Sequence, residues 1–334
     1  MDLAIDLGTA NTVIWAPNRG IVVNEPSFLA LRHARNNGTT VEAFGREAKR
    51  MLGMTPEGMQ VIPPMRDGVI ADFELAEKML AHFIGMARQQ NYGVRPRVVI
   101  GVPSEITSVE KNAIRDTAYR AKAREVHLVY EALAAAIGAG LPVSENKGSM
   151  IIDIGGGTTD VAVIVAGDIH EKKAVKVAGN AMDDAVTQYM KRNHNLLIGE
   201  QTAERVKINA GSAYALDQER EIEIKGRHAL EHLPRTVLVN TTEIREALSE
   251  CVSAIISAVR LVFEKTDPEL LGDISDTGIR LAGGGSLLKG FDLRLRHELD
   301  DVRVEYADDP LSAVVLGVGK LLSDPKLLAK VALS

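Results

Sequence analysis

One cysteine, Cys251, stands alone among 334 residues, so no internal disulfide framework can form and a reducing compartment suits the chain. No stretch approaches the ~18 uninterrupted apolar residues that a membrane-spanning helix requires. Asp2 and Asp6 interrupt the short apolar run at the N-terminus, which reads as a strand and not as a signal peptide. Aromatic residues are only 4% of the chain, too few for base-stacking platforms. A basic block is also missing. The 39 basic residues face 45 acidic ones, and the net charge of −6 argues against nucleic acid as the main partner. No low-complexity segment or Ser/Gly linker divides the chain. What remains is ordinary globular composition, 46% hydrophobic, and length enough for about two domains with cores of their own.

Against that plain background one motif occurs twice. Ile5-Asp6-Leu7-Gly8-Thr9-Ala10-Asn11-Thr12 sits near the start, and Ile152-Asp153-Ile154-Gly155-Gly156-Gly157-Thr158-Thr159 near the middle. Each is an apolar strand ending in Asp-x-Gly, then small residues, then Thr and a second apolar run. Small residues at such a bend let backbone N–H groups approach an anion closely. The hydroxyls of Thr9, Thr12, Thr158 and Thr159 can add donors. Two aspartates would repel a bare phosphate, but they fit a divalent cation lying between them and the phosphate, reached through water. A single copy reads equally well as a glycine-rich hairpin. Two copies with Asp in register predict a metal-nucleotide gripped between related half-molecules.

The rest of the chain alternates. Strands are expected at 3–7, 12–16, 21–23 and 28–31, and Asn36-Asn37-Gly38 is a turn signal. Asp72 is placed to cap a helix over 74–90 whose inner face carries Leu75, Met79, Phe83 and Met86. A buried-type strand spans 98–102. Thr107 and Glu110 form a capping box for a helix over 108–122, and a strand over 126–130 runs into Glu131 and a small-residue helix over 133–139. The second half repeats the plan, with strands at 150–154 and 161–165 and helices near 181–192 and 201–209. Short strands follow at 221–224 and 236–239. A helix over 243–264 carries the stripe Ile244, Leu248, Cys251, Ile255, Val259, Val262, and a strand over 278–282 meets Gly283-Gly284-Gly285. The pattern predicts α/β layers around a largely parallel sheet, built twice.

Several residues stand apart from this scaffold. Glu131 follows its strand directly, at the end where open α/β sheets bind ligands. It could orient or deprotonate a water for attack on a γ-phosphate, or it could simply sit in the favourable field of a helix N-terminus. Gly283 to Ser286 make a strand-to-helix turn able to hold a ribose, a base or a phosphate, or to serve as a turn alone. Glu204 and Lys207 lie three apart on a helix, either as an exposed ion pair or as nucleoside contacts. Cys251 falls on a core stripe and reads as a small buried hydrophobe. His170, His194, His228 and His232 lie in polar contexts without metal-ligand spacing and are expected at the surface.

The paired hairpins, the acid after a strand and the GGG turn resemble the actin and sugar-kinase superfamily. Within it, the chain resembles the MreB family of rod-shape-determining bacterial actins. The resemblance rests on segments in the family's order across nearly the whole chain. They are 5–12, Gly20 to Ser27, Met65-Arg-Asp-Gly-Val-Ile-Ala-Asp72, Arg97 to Pro103, Ala134 to Gly138, Gly199 to Lys207 and Leu281 to Leu288. It implies an actin-like fold of two RNase-H-like lobes around an ATP cleft. The lobe cores would be 1–32 with 66–140 and 310–334, and 141–178 with 241–309, and the small insertions 33–65 and 179–240. It implies ATP and Mg²⁺ as ligands. Thr9, Ala10 and Asn11 match the first phosphate loop, and Gly155, Gly156, Gly157 and Thr158 the second. Glu204 and Lys207 match the nucleoside helix, and Gly283, Gly284, Gly285, Ser286 and Leu287 the adenosine turn. Glu131 and Thr158 match the pair that positions the hydrolytic water, and Asp6 and Asp153 the acids near magnesium.

The same resemblance implies a slow ATPase whose product is a homopolymer of paired antiparallel protofilaments. That polymer would lie in the cytoplasm, peripheral on the inner face of the cell membrane, with cell-wall elongation proteins such as RodZ as partners. A segregating or organelle-positioning paralogue would share these site residues, whereas a small-molecule kinase of the superfamily would also need a substrate pocket and a catalytic Asp for a sugar hydroxyl, and no such segment is evident. Ala132 replaces the family's usual Pro and Asp160 its usual Glu, departures that bear on hydrolysis rate more than on nucleotide binding. The region 211–235 looks short for the family. The loop 91–95 offers only Tyr92 and Val94 to a membrane, beside Arg95 and Arg97. At ~0.8 kcal/mol per buried CH₂ and ~1 kcal/mol per basic residue, one loop binds lipid weakly, and polymer avidity would supply the rest.

Overall fold

The computed structural model describes residues 2–33, 38–88 and 95–333. Most of the loop 91–95 and part of the turn signal 36–38 fall outside them. In chain order the first half contains β1 (Asp2–Leu7), β2 (Asn11–Ala16), β3 (Gly20–Pro26), β4 (Leu29–His33), β5 (Thr39–Phe44), α1 (Gly45–Arg50) and β6 (Met59–Ile62). It continues with β7 (Met65–Arg66), β8 (Val69–Ile70), α2 (Phe73–Arg88), β9 (Arg97–Val102), α3 (Ser108–Arg120), β10 (Glu125–Tyr130) and α4 (Glu131–Gly138). The second half contains β11 (Ser149–Ile154), β12 (Thr159–Val165), β13 (Asp168–Val175), α5 (Gly179–His194), β14 (Leu196–Leu197), α6 (Glu200–Ala210), β15 (Glu221–His228), β16 (Pro234–Asn240) and α7 (Thr241–Lys265). It ends with α8 (Pro268–Thr277), β17 (Ile279–Ala282), a 3₁₀ turn (Gly284–Leu287), α9 (Phe291–Glu298), β18 (Val304–Tyr306), α10 (Ala313–Ser323) and α11 (Pro325–Val331).

Two five-stranded sheets carry the fold, and they have the same plan. One runs β3-β2-β1-β9-β10 and the other β13-β12-β11-β17-β18. In each, three antiparallel strands form a meander and two parallel strands complete the sheet. The repeated motif therefore marks a repeated lobe. Each lobe carries a small three-stranded insertion, β5-β4-β6 in the first and β14-β15-β16 in the second.

The apolar pattern explains how the lobes join. The first sheet packs its outer face on α2 and α3, and the second on α5, α6 and α7. Between the sheets lie α4 and α10, whose side chains share one core with Ala4, Val99 and Val129 of the first sheet and Ile151, Ala162 and Ala282 of the second. These helices pack backbone against backbone. A Cβ on Gly138 would collide with the Ala313 carbonyl, and one on Gly317 with the Ala134 carbonyl.

Local signals held in most places. The side chain of Asp72 accepts from Leu75 N–H at 3.0 Å, and the Thr107–Glu110 capping box is formed. Some expectations fail. Met86 is exposed, because the inner face of α2 runs through Leu80, Ile84 and Ala87 instead. Cys251 is half-buried at the margin of its core. His228 is buried and accepts from Glu231 N–H, and His194 is largely covered, bonded to Glu243 at 2.9 Å. Among the described residues no helix is long and apolar enough to cross a membrane.

Candidate functional site

The two hairpin bends face each other across a cleft of about 420 Å³. Thr9, Ala10 and Asn11 line one wall, and Gly155, Gly156, Gly157 and Thr158 the other. They nearly touch. A Cβ on Gly156 would lie 2.5 Å from that of Ala10, and one on Gly157 2.5 Å from Thr9 Oγ1. Only glycine permits this approach, which leaves backbone N–H groups of both bends beside the same space.

Strand register decides which side chains reach the cleft. Cross-strand partners share a sheet face. Asp6 pairs with Val13 and Asp153 with Asp160, and Asp6, Val13 and Asp153 all line the cleft. Thr12 pairs with buried Leu7 and Thr159 with buried Ile154, so both hydroxyls turn into the protein. Thr12 bonds Ser27 Oγ at 2.9 Å, and Thr159 donates to the Val177 carbonyl at 2.7 Å. The expected contribution of these two threonines to anion binding is thereby corrected. Thr9 remains in the lining and accepts from Gly68 N–H at 2.9 Å, which leaves its own hydrogen free to donate.

Glu131 is the first residue of α4 and also lines the cleft, so the helix-terminus and ligand-facing readings coincide. Asp6, Glu131 and Asp153 form an acidic floor, and Asp160 is buried behind it. Desolvation raises the Asp6 carboxyl to about 7. Desolvation also lifts Glu131 well above the usual carboxylate range, with Asp6, Asp160 and Asp153 adding repulsion. Asp153 is lifted by desolvation first, with Asp160 the larger and Asp6 the smaller repulsive influence. Asp160 is raised by burial although its Oδ1 accepts from Ser104 N–H at 2.7 Å.

At the other end, Glu204 and Lys207 do not pair with each other. Lys49 of α1 reaches across to Glu204, its Nζ 2.8 Å from Oε2 and 2.9 Å from Oε1. Lys207 Nζ donates to the Gly179 carbonyl at 2.9 Å and lies 2.9 Å from Asp183 Oδ1. Burial pushes Asp183 up to about 6 despite that ammonium. Gly283, at φ +78°, packs where any Cβ would strike the Ile154 carbonyl, so the GGG turn is pressed onto the second hairpin. Gly284, Gly285 and Leu287 line the cleft, whereas Ser286 is buried and donates to the Gly283 carbonyl at 2.7 Å. Ser286 therefore shapes the turn and offers no hydroxyl to the cleft.

Sequence reasoning missed Lys49, Asp183, Leu311 and Ile208, all in the lining. It also missed what the MRDG segment does there. Asp67 and Gly68, both at positive φ, form the tip between β7 and β8, and a Cβ on Gly68 would meet Thr158. The unusual MRDGVIAD run was the available signal for that tip. Lys49 had none, being one of several basic residues on a short helix.

Comparison with known proteins gives a consistent answer. The sequence profile of the family described as MreB/Mbl protein matches residues 1–330. The cell shape-determining protein MreB of Escherichia coli (strain K12) is 50% identical over 323 residues, covering 96% of this chain and 93% of that protein. The cell shape-determining protein Mbl of Bacillus subtilis (strain 168) is 45% identical over 333 residues, covering 100% and 99%. Among solved structures, MreB5 of Spiroplasma citri bound to AMPPNP superposes with a TM-score of 0.91 at 36% identity, covering 98% of this chain and 97% of that one.

Proposed function

The chain belongs to the MreB/Mbl family, and from that premise we propose that it is an ATP-binding bacterial actin. Its filaments would associate with the cell membrane and control cell shape and lateral wall synthesis. The observation that carries the nucleotide reading is the twin-hairpin cleft, where two glycine-rich bends nearly touch above a floor formed by Asp6, Glu131 and Asp153. Solved MreB5 structures bound to ADP and to AMPPNP support the same reading.

In this reading the backbone N–H groups of Thr9 to Asn11 and Gly155 to Thr158 hold the phosphates. Ile208, Leu287 and Leu311, large apolar side chains left exposed in the cleft, suit a flat base. Glu204 and Lys207 reach the nucleoside. The acidic floor fits Mg²⁺: its carboxylates repel one another, and a divalent cation relieves that repulsion. Among the described residues no three such groups converge on one metal position, so Asp6 and Asp153 would act through the cation's waters. Bound Mg²⁺ supplies charge neutralisation along the phosphates. Glu131 accepts the proton of the attacking water, and Thr158 helps orient that water.

Assembly follows from the lobes. Nucleotide held by both bends favours the closed arrangement, and hydrolysis biases it back. The proposed subdomains are the lobe cores and insertions at the boundaries the family implies. The polymer would be paired antiparallel protofilaments, peripheral on the inner face of the cytoplasmic membrane, with wall-elongation proteins as partners. Each subunit holds lipid weakly, so only the polymer stays bound. Sedimentation and electron microscopy of purified protein with ATP and Mg²⁺, with and without anionic vesicles, test this. Paired filaments that decorate the vesicles are expected. Monomers under every condition would refute it.

A further inference from the structure

The short helix α1 is tied at both ends, each to a different lobe. At its N-terminus the Arg46 N–H donates to Glu25 Oε2 at 2.7 Å, and Glu25 lies on β3 of the first sheet. At its C-terminal end the Gln201 amide donates to the Lys49 carbonyl at 2.7 Å and to the Leu52 carbonyl at 3.2 Å. Lys49 adds its ion pair with Glu204, touching both carboxylate oxygens. Gln201 and Glu204 both belong to α6 of the second lobe.

We infer that α1 is a crossbar over the mouth of the cleft, and that Lys49 and Gln201 are positioning residues which hold Glu204 toward the nucleoside and set how fast nucleotide leaves. The chemistry gives the reason. A helix C-terminus presents unpaired carbonyls and a partial negative charge. Gln201 adds a side-chain donor to the Lys49 carbonyl, which also accepts from Leu52 N–H, and bonds the Leu52 carbonyl just beyond the helix, while the Lys49 ammonium pairs with the Glu204 carboxylate. Lobe opening must break all three contacts together. Glu204 is also proposed to reach the nucleoside, so one carboxylate serves the crossbar and the ligand. Occupancy and closure then draw on the same group, and each favours the other.

This inference rests on the nucleotide reading above, so the test begins with ADP. The full chain is loaded with a fluorescent ADP in Mg²⁺, and its dissociation is followed during an ATP chase. Lys49→Met and Gln201→Ala should release ADP about three- to tenfold faster than the wild type, as expected for one partly exposed ion pair and two neutral hydrogen bonds. Lys49→Arg should restore most of the slow release. Raised salt should speed release from the wild type but not from Lys49→Met, because screening acts on the ion pair. Circular dichroism melts confirm that each variant folds. If ADP does not bind the wild type, the nucleotide reading fails and the crossbar with it. If ADP binds but leaves folded Lys49→Met and Gln201→Ala at the wild-type rate, the crossbar alone is refuted.

Discussion

At Glu131 one carboxylate meets two physical demands. As the first residue of α4 it lies in the favourable field of a helix N-terminus, and as part of the cleft floor it is desolvated and crowded by Asp6, Asp160 and Asp153. Burial and that crowding raise its affinity for a proton, which suits the acceptor of the attacking water's proton. Glu131→Ala should therefore slow phosphate release by about a hundredfold while leaving ATP affinity within a fewfold of wild type. A coupled phosphate assay beside a binding titration checks both. Unchanged release would remove Glu131 from the chemistry. The same crowding links stability to pH. Asp6 sits at about 7 and Asp183 at about 6 in the folded chain, both above their ordinary 3.8. Between these values the folded state binds protons that the unfolded state has lost, so stability falls as pH rises through the window. The melting midpoint of nucleotide-free protein should drop from about pH 5 to pH 8, and less steeply in Asp6→Asn. Parallel profiles would contradict that assignment. At this scale the sequence revealed the acids and glycines but not the fate of each threonine. Thr9 and Thr12 look alike on paper, and only register against Leu7 sends Thr12 inward.

Elements with a clear period or cap could be read in advance. The Thr107–Glu110 box, the stripe of α7 and the apolar strands β1 and β11 all correspond to what forms. Other elements lacked a usable period. The α10 sequence AVVLGVGKLLS is apolar almost all round because α4 and the first sheet cover it, so no amphipathic stripe announces a helix. In the first insertion, β5 is half exposed and β6 mostly half-buried, and both carry weak patterns. The tight α4–α10 contact makes its own prediction. Gly317→Ala drives a methyl into the Ala134 carbonyl, and it should cost about 1–3 kcal/mol in chemical denaturation. A variant as stable as the wild type would show that these helices have room to separate.

Across the whole molecule, duplication is the feature that sequence and fold share most directly. Two motifs in register become two sheets with one strand order, and their bends meet in one cleft. What the chain could not announce is contact between distant parts without motifs of their own. Lys49 on Glu204 joins segments whose meeting depends on how the lobes close, and Lys207 on Asp183 and the MRDG tip on Thr9 join segments distant in sequence within one lobe. The central claim is that this cleft grips a magnesium-bound adenine nucleotide, one per chain. Calorimetric titration of ATP into folded protein tests it most directly, in millimolar Mg²⁺ and again with the metal chelated. The account predicts a saturable single site in Mg²⁺ and much weaker binding without it. Absence of heat and of competition by ADP in well-folded protein would contradict it.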